Sequence, residues 1–122
     1  GLEDGPTPLE WRPEASHDPL LNTAVDLGGP VPMDHHDVVT RLPEGATELA
    51  RSQQYPHAAF RIGTAWGLQF HPEASPELAQ HWYERNGGTG TRRLDQMRHV
   101  NDRLEPTCRS IAEGFAGLVR GL

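Results

Sequence analysis

The sequence predicts an α/β fold, in the form of an incomplete α/β domain. The apolar run Ala65–Phe70 has the length and composition of a buried strand. Asp18-Pro19 and Ser75-Pro76 each place a capping side chain before a proline, which is how many helices begin. A doubly wound sheet needs several apolar parallel strands, yet only one or two convincing ones are present and 35% of the residues are apolar. We therefore expect part of a larger domain.

The charge and cysteine content limit the partners of the protein. Its 122 residues carry a net charge of -6, with 17 acidic and 11 basic side chains, which argues against nucleic acid or an anionic membrane as the main partner. No apolar run approaches membrane-spanning length, and no signal peptide is visible. A single cysteine, Cys108, excludes an internal disulfide and is typical of reducing compartments. These features predict a cytoplasmic protein.

The first part of the chain is predicted to contain an irregular arm or an edge strand, followed by a short helix. Residues 1–13 are acidic and rich in proline, and Pro8 would confine a strand there to the edge of a sheet. Asp18 is the predicted N-cap of a helix that begins with Pro19 and continues into Leu20 and Leu21. Gly28-Gly29-Pro30 should end this helix.

The middle of the chain is predicted to form three strands. Thr47–Arg51 forms a short strand, and Ala58–Ile62 pairs with Ala65–Phe70 in a hairpin through Gly63-Thr64. We expect His57, in the preceding loop, to be solvated. The expected core aromatics are Phe60, Trp66 and Phe70.

Three helices are predicted after this hairpin. The first is capped by Ser75 and runs to about Arg85. Residues 92–104 form a second, charged helix that Pro106 should break, and residues 107–119 form the last. The last two helices pack on their own domain, which we favour, or dock a partner as an amphipathic pair. Their basic side chains Arg92, Arg93 and Arg98 are expected on a solvated face.

His71 and Glu73 are the leading candidates for catalysis. They follow the strand Ala65–Phe70 and are separated by Pro72, which restricts the backbone. In an extended segment, residues i and i+2 leave the same side of the chain, so the carboxylate can reach the imidazole. The pair is a candidate general base with its orienting acid. The alternative is a surface turn that happens to carry both residues.

A second polar cluster, Asp34-His35-His36-Asp37, invites a metal site on residue type alone, because His and Asp are zinc and nickel ligands. Neighbouring residues on a strand point to opposite faces, however, so His35 and His36 cannot easily serve one ion unless this segment is a loop. We therefore predict no metal site and no cofactor.

The sequence segments around both clusters resemble those of a known family. Gly67-Leu68-Gln69-Phe70-His71-Pro72-Glu73 resembles the segment that completes the active site of class I glutamine amidotransferases, the triad glutaminases. Four blocks upstream resemble, in the same order, the branch similar to the glutaminase domain of GMP synthetase. These blocks are His35-His36-Asp37-Val38-Val39, Leu42-Pro43-Glu44-Gly45-Ala46, Leu49-Ala50-Arg51-Ser52 and Ala59-Phe60-Arg61-Ile62-Gly63.

The resemblance implies a fold and a reaction. The fold would be the carboxyl-terminal half of a flavodoxin-like glutaminase domain, and the reaction the hydrolysis of glutamine to glutamate and ammonia. A cysteine attacks the amide carbon, His71 matches the base and Glu73 the acid that orients it. In the family, the passage matched by residues 34–37 lines the glutamine pocket, so the implied substrate-binding residues are Asp34, His35, His36 and Asp37.

The chain departs from the family in its nucleophile. The expected Gly-x-Cys-x-Gly turn is absent, and Cys108 lies downstream with no strand before it. We therefore expect the nucleophilic cysteine on an amino-terminal half or a partner chain, and ammonia to pass to an acceptor synthase. The alternative is a non-catalytic binding or regulatory module. It is motivated by Asp34, where relatives more often have serine or asparagine, and by His36, where they more often have glycine.

These interpretations divide the chain into three segments. Residues 1–86 form the carboxyl-terminal half of an amidotransferase domain. Residues 87–91 form a glycine-rich linker that lacks phosphate-loop spacing. Residues 92–122 form a helical tail.

Overall fold

A computed structural model of the chain describes residues 2–121; Gly1 and Leu122, the outermost residues of the first and last predicted segments, lie outside it. Over the described range the backbone forms strands, α-helices and one 3₁₀ helix at Pro13–His17. The strands are β1 Glu3–Thr7, β2 Glu10–Trp11, β3 Val31–His35, β4 Thr47–Arg51, β5 Ala59–Ile62 and β6 Ala65–Leu68. The helices are α1 Asn22–Leu27, α2 Pro76–Arg85, α3 Arg92–His99 and α4 Asn101–Arg120.

The strands form two antiparallel sheets. β1 pairs with β3, and the second sheet has the order β2-β4-β5-β6. The mixture of sheets and packed helices confirms the predicted α/β class. All strand pairs within residues 2–121 are antiparallel, so the parallel strands of a doubly wound sheet are not in the described part of the chain.

The predicted hairpin is confirmed. Ile62 pairs with Ala65 across the Gly63-Thr64 turn, and Gly63 has a positive φ of 58°, which favours glycine. Opposite Phe60 lies Gly67, where an added Cβ would come within 2.3 Å of the Phe60 ring. The missing side chain of Gly67 therefore makes room for the aromatic ring across the hairpin.

Asp18 joins the start of α1 to this hairpin. Its side chain is 3% exposed, and its Oδ2 accepts hydrogen bonds from the backbone N–H groups of Leu20 and Leu21, both at 3.0 Å. The same carboxylate accepts the indole N–H of Trp66 at 3.1 Å and a guanidinium N–H of Arg61 at 3.4 Å. The prediction that Asp18 is the N-cap of the α-helix is therefore wrong: that position is Leu21, α1 begins at Asn22, and Asp18 holds the turn that leads into it.

A backbone hydrogen bond connects the two sheets. After β6 the chain crosses to β3, where the N–H of His71 donates to the carbonyl oxygen of Pro32 at 2.9 Å. Phe70, one residue before, is 3% exposed and packs in the main core with Val31 and Leu49. His71, which follows the buried Phe70, therefore lies beside β3.

α4 contradicts one prediction. Pro106 does not break the helix, which runs through it, and the break between α3 and α4 falls at Val100. The ring of a proline crowds the carbonyl four residues back, here that of Asp102, which is exposed in the first turn of α4 and can tilt toward water. The buried positions of α4 keep a helical spacing on both sides of the proline: Leu104, Thr107, Cys108 and Ile111.

The last two helices pack on the rest of the described chain. Ile111 lies in the main core, and Met97 and Leu104 form a second cluster with Ala79 of α2. Thr107 accepts the backbone N–H of Gly29 at 3.1 Å, which fixes α4 beside the turn after α1. None of the described helices is long and apolar enough to cross a membrane.

Two further predictions are wrong. Arg93 is not on a solvated face: it is 4% exposed and donates to Asp4 of β1 at 2.6 Å, because a buried guanidinium needs a paired carboxylate. His57 is not fully solvated either, since its side chain is 21% exposed and its ring Nδ1 lies 2.9 Å from Oε1 of Glu48.

We predict that Asp18→Asn lowers the free energy of unfolding by about 1 to 3 kcal/mol. All four partners of Asp18 are donors, and asparagine would keep one acceptor oxygen but replace the other with an NH2 group, which would face a donor instead of accepting from it. Urea unfolding followed by circular dichroism measures the change. Asp26→Asn, on the exposed side of α1, is the matched control and should stay within about 0.5 kcal/mol. Equal effects of the two substitutions would contradict this role of Asp18.

Candidate active site

His71 and Glu73 are held between the end of β6 and the start of α2. The backbone N–H of His71 is bonded to Pro32, and its carbonyl oxygen accepts the N–H of Ala74 at 3.0 Å, which closes a turn. Ser75 then caps α2 by accepting the N–H of Leu78 at 3.1 Å. The turn between them therefore has a defined backbone at both ends.

The two side chains form a hydrogen-bonded dyad. Nδ1 of His71 lies 2.7 Å from Oε1 of Glu73. In the neutral ring, an Nδ1–H donated to the carboxylate leaves the lone pair on Nε2, which is the form a general base requires. The side chain of His71 is 36% exposed, so a reactant can reach it. Its ring packs against Trp82 of α2, with centroids 4.9 Å apart.

The dyad histidine opens onto a small cavity. The cavity has a volume of about 310 Å³ and is lined by His71, Asp34, Trp82, Arg85 and Asn86. Asp34 comes from β3 and the last three residues come from α2 and its end. The bond between the His71 N–H and Pro32 brings the strand and the histidine to the same cavity.

The four residues predicted to bind substrate are divided by the alternation of β3. His35 turns toward β1, where its Nε2 lies 3.0 Å from the buried carboxylate of Glu3, while its Nδ1 lies 2.8 Å from the carbonyl oxygen of Asp37. Asp34 and His36 line a neighbouring cavity of about 370 Å³ on the other side. The structure therefore brings Asp34 and His36 together and places His35 elsewhere.

Within residues 2–121, no group of three or more His, Cys, Asp or Glu side chains is arranged to hold a metal ion.

Cys108 lies in a separate environment. It is 6% exposed in α4 and borders a groove of about 450 Å³ beside Pro72 and Glu73. Burial raises the pKa of the Cys108 thiol to about 12, and the nearby carboxylates of Glu105 and Glu73 add to the effect. A thiol with this pKa is protonated at neutral pH, whereas the attacking species in nucleophilic catalysis is the thiolate.

Sequence reasoning did not identify Arg85 and Asn86 as site residues. They follow Trp82 at positions i+3 and i+4, so the three share one face of α2. This spacing, together with the capped helix start directly after the dyad, could have indicated that Arg85 and Asn86 lie near His71.

The fold is shared with solved structures. It superposes on SMU.1228c with a TM-score of 0.73 and 21% sequence identity, over 97% of this chain and 53% of that chain. It superposes on a glutamine amidotransferase (tm1158) from Thermotoga maritima with a TM-score of 0.70 and 24% identity, over 93% and 50% of the two chains. The chain thus has part of a glutamine amidotransferase fold and spans about half of either structure.

Sequence comparison adds a more specific similarity. The chain is 47% identical over 74 residues to a glutamine-hydrolysing GMP synthase of Porphyromonas gingivalis, covering 58% of this chain and 14% of the relative. It is 43% identical over 60 residues to the GMP synthase of Helicobacter pylori, covering 49% and 12%. No protein-family model matches the chain. The resemblance to glutamine amidotransferases, in the branch of the GMP synthases, is confirmed.

We predict that the stability of the protein falls above pH 9 because of Cys108. Its thiol pKa is about 12 in the folded state against an ordinary value of 9.0, so between these values the unfolded state has lost a proton that the folded state retains. The free energy of unfolding then decreases with rising pH by up to about 1.4 kcal/mol per pH unit, while below pH 9 the thiol contributes no pH dependence.

Urea unfolding of wild type and Cys108→Ala from pH 8 to 11 measures this effect. The difference between the two proteins should shrink as the pH rises, since alanine has no proton to lose. Parallel curves over this range would contradict the raised thiol pKa.

Proposed function

We propose that this chain supplies the histidine and glutamate of a glutamine amidotransferase that hydrolyses glutamine to glutamate and ammonia. The observation that carries the proposal is the 2.7 Å hydrogen bond between His71 and Glu73 at the mouth of an accessible cavity. The similarity to glutamine-hydrolysing GMP synthases supports the choice of reaction.

In this proposal His71 moves the protons of the reaction. Its Nε2 takes the proton of a cysteine thiol as the sulfur attacks the amide carbon of glutamine. The imidazolium, stabilised by Glu73, returns the proton to the amide nitrogen as the C–N bond breaks and ammonia leaves. Water, deprotonated by His71, then attacks the thioester, releases glutamate and regenerates the thiol.

The nucleophilic cysteine is proposed to lie on polypeptide outside this chain. Cys108 is buried and protonated, and it lies on the groove beside Glu73 rather than in the cavity that His71 lines. The chain also spans only about half of the solved structures that share its fold. The other half, whether a further segment or a partner chain, would carry the cysteine and its oxyanion-binding N–H groups. Ammonia would pass to an acceptor synthase.

The predicted substrate-binding residues would contribute in two ways. Asp34 lines the His71 cavity and would contact glutamine directly, while His36 lines the neighbouring cavity that Asp34 also borders. His35 instead spans Glu3 and the Asp37 carbonyl, so its role would be to hold the segment after β3 in position.

We predict that His71→Ala lowers kcat for glutamine hydrolysis by about 10²- to 10⁴-fold, because the general base and acid of both steps is lost. Glu73→Gln should cause a smaller loss, since the ring remains hydrogen-bonded but its cation is no longer stabilised. Glutamate release is measured for the chain by itself and for the chain co-expressed with the polypeptide encoded immediately upstream of it.

The control is His99→Ala, at an exposed position of α3, which should leave kcat unchanged. Equal rates for the two histidine variants in an active complex would remove His71 from the mechanism. Hydrolysis by the chain alone that is lost on Cys108→Ala would refute an external nucleophile. An intact dyad with no hydrolysis in the complex would favour the non-catalytic binding module.

A further inference from the structure

The cavity beside His71 carries two opposite charges that have no ion-pair partner within residues 2–121. Asp34 contributes a half-buried carboxylate from β3, and Arg85 contributes a guanidinium from the last turn of α2. Two neighbouring arginines are paired with carboxylates, Arg93 with Asp4 at 2.6 Å and Arg98 with Glu77 at 3.3 Å, and Arg92 lies over the ring of Tyr83 at 5.6 Å, whereas the exposed Arg85 faces the cavity. An unpaired acid and an unpaired base on the walls of one cavity form a receptor for a ligand with both charges.

Asp34 and Arg85 are also not paired with each other. Both line the cavity, yet their charged atoms do not approach within ion-pair distance. A volume of about 310 Å³ corresponds to roughly ten water molecules, which is enough for a small amino acid such as glutamine. The cavity therefore has room for a ligand between the two charges.

At the carboxyl end of α2, the Arg85 guanidinium faces the cavity and backbone carbonyl groups are hydrogen-bonded. The carbonyl oxygens of Trp82 and Tyr83 accept the N–H groups of Asn86 at 3.0 Å and Gly88 at 2.8 Å. These bonds satisfy groups that would otherwise repel an anion at a helix C-terminus. Arg85 is thus the charge that a carboxylate meets on this wall.

We propose that Arg85 binds the α-carboxylate and Asp34 the α-ammonium group of the amino-acid substrate, so that the site selects a free amino acid. A guanidinium can bind a carboxylate through two parallel hydrogen bonds, which fixes the orientation of the ligand as well as its charge. Trp82, whose ring packs against that of His71, contributes an apolar side chain to the same cavity. The side-chain amide of the ligand extends toward His71.

This assignment rests on the proposed function for the identity of the ligand as glutamine. It also gives a role to Asp34, a position where the resembling family more often has serine or asparagine. An acidic residue there repels a ligand that lacks the ammonium group, so it adds selectivity as well as affinity.

The test compares three ligands that differ by one charge. They are L-glutamine, glutaramate, which lacks the α-ammonium group, and 4-aminobutanamide, which lacks the α-carboxylate. Binding is followed through the NMR signals of the His71 and Trp82 rings, in the chain and in its complex with the upstream polypeptide. Wild type should bind L-glutamine at least about tenfold more tightly than either analogue, because each charged contact is lost in one of them.

Each substitution in the cavity should abolish the preference for L-glutamine over one analogue and keep the preference over the other. Asp34→Asn should bind L-glutamine and glutaramate equally and still reject 4-aminobutanamide. Arg85→Gln should show the converse pattern. Arg98→Gln, an exposed arginine on α3, is the matched control and should keep both preferences. This double pattern separates charge recognition from a general loss of structure.

The outcomes distinguish this inference from the proposed function. Charge-selective binding without hydrolysis in the complex would support the inferred binding site and contradict the proposed enzymatic function. Hydrolysis in the complex with unchanged ligand preferences in Asp34→Asn and Arg85→Gln would overturn the binding site and keep the enzyme. Absence of L-glutamine binding to both the chain and the complex would overturn the inference.

Discussion

The hydrogen bond between the backbone N–H of His71 and the carbonyl of Pro32 is the contact on which the site depends. The strand β6, which leads into the dyad, and the strand β3, which carries Asp34, belong to two different sheets, and this hydrogen bond links them. It forms because Phe70, directly before His71, is buried in the core that β3 also lines. The packing of Phe70 thus sets the position of the neighbouring His71. It thereby brings His71 and Asp34 to the same cavity.

The helix α2 contributes to this cavity at both ends. Its start follows the dyad directly and is fixed by the Ser75 cap, so the turn carrying Glu73 cannot shift independently of the helix. Its last turn carries Trp82 and Arg85 back to the same cavity. Helix α3 holds α2 in place through the cluster of Ala79 and Met97 and through Gln80, which accepts the N–H of Leu94 at 2.9 Å. Residues 86–91, which join α2 to α3, are mostly exposed, and the carbonyl oxygen of Gly90 accepts a hydrogen bond from the side-chain amide of Gln80 at 2.8 Å.

Most charged groups around the site are already committed to structural pairs. Glu3 is bonded to His35, Asp4 to Arg93 and Asp18 to Arg61 and Trp66, and each pair joins segments distant in the sequence. Buried charges are tolerated only with such partners. Against this background Asp34 and Arg85 differ from their neighbours, since their charges face a cavity. The antiparallel pairing of all described strands and the half-length match to solved structures are consistent with a fold completed by further polypeptide.

The sequence by itself determined the local elements. The Gly63-Thr64 turn, the Ser75 cap and the two-residue spacing of His71 and Glu73 could be predicted because each depends on residues close together in the chain. Tertiary structure decided the direction of His35, the burial of Arg93, the continuation of α4 through Pro106 and the placement of Arg85 and Asp34 on one cavity. These features depend on which distant groups meet, and neither propensity nor periodicity carries that information.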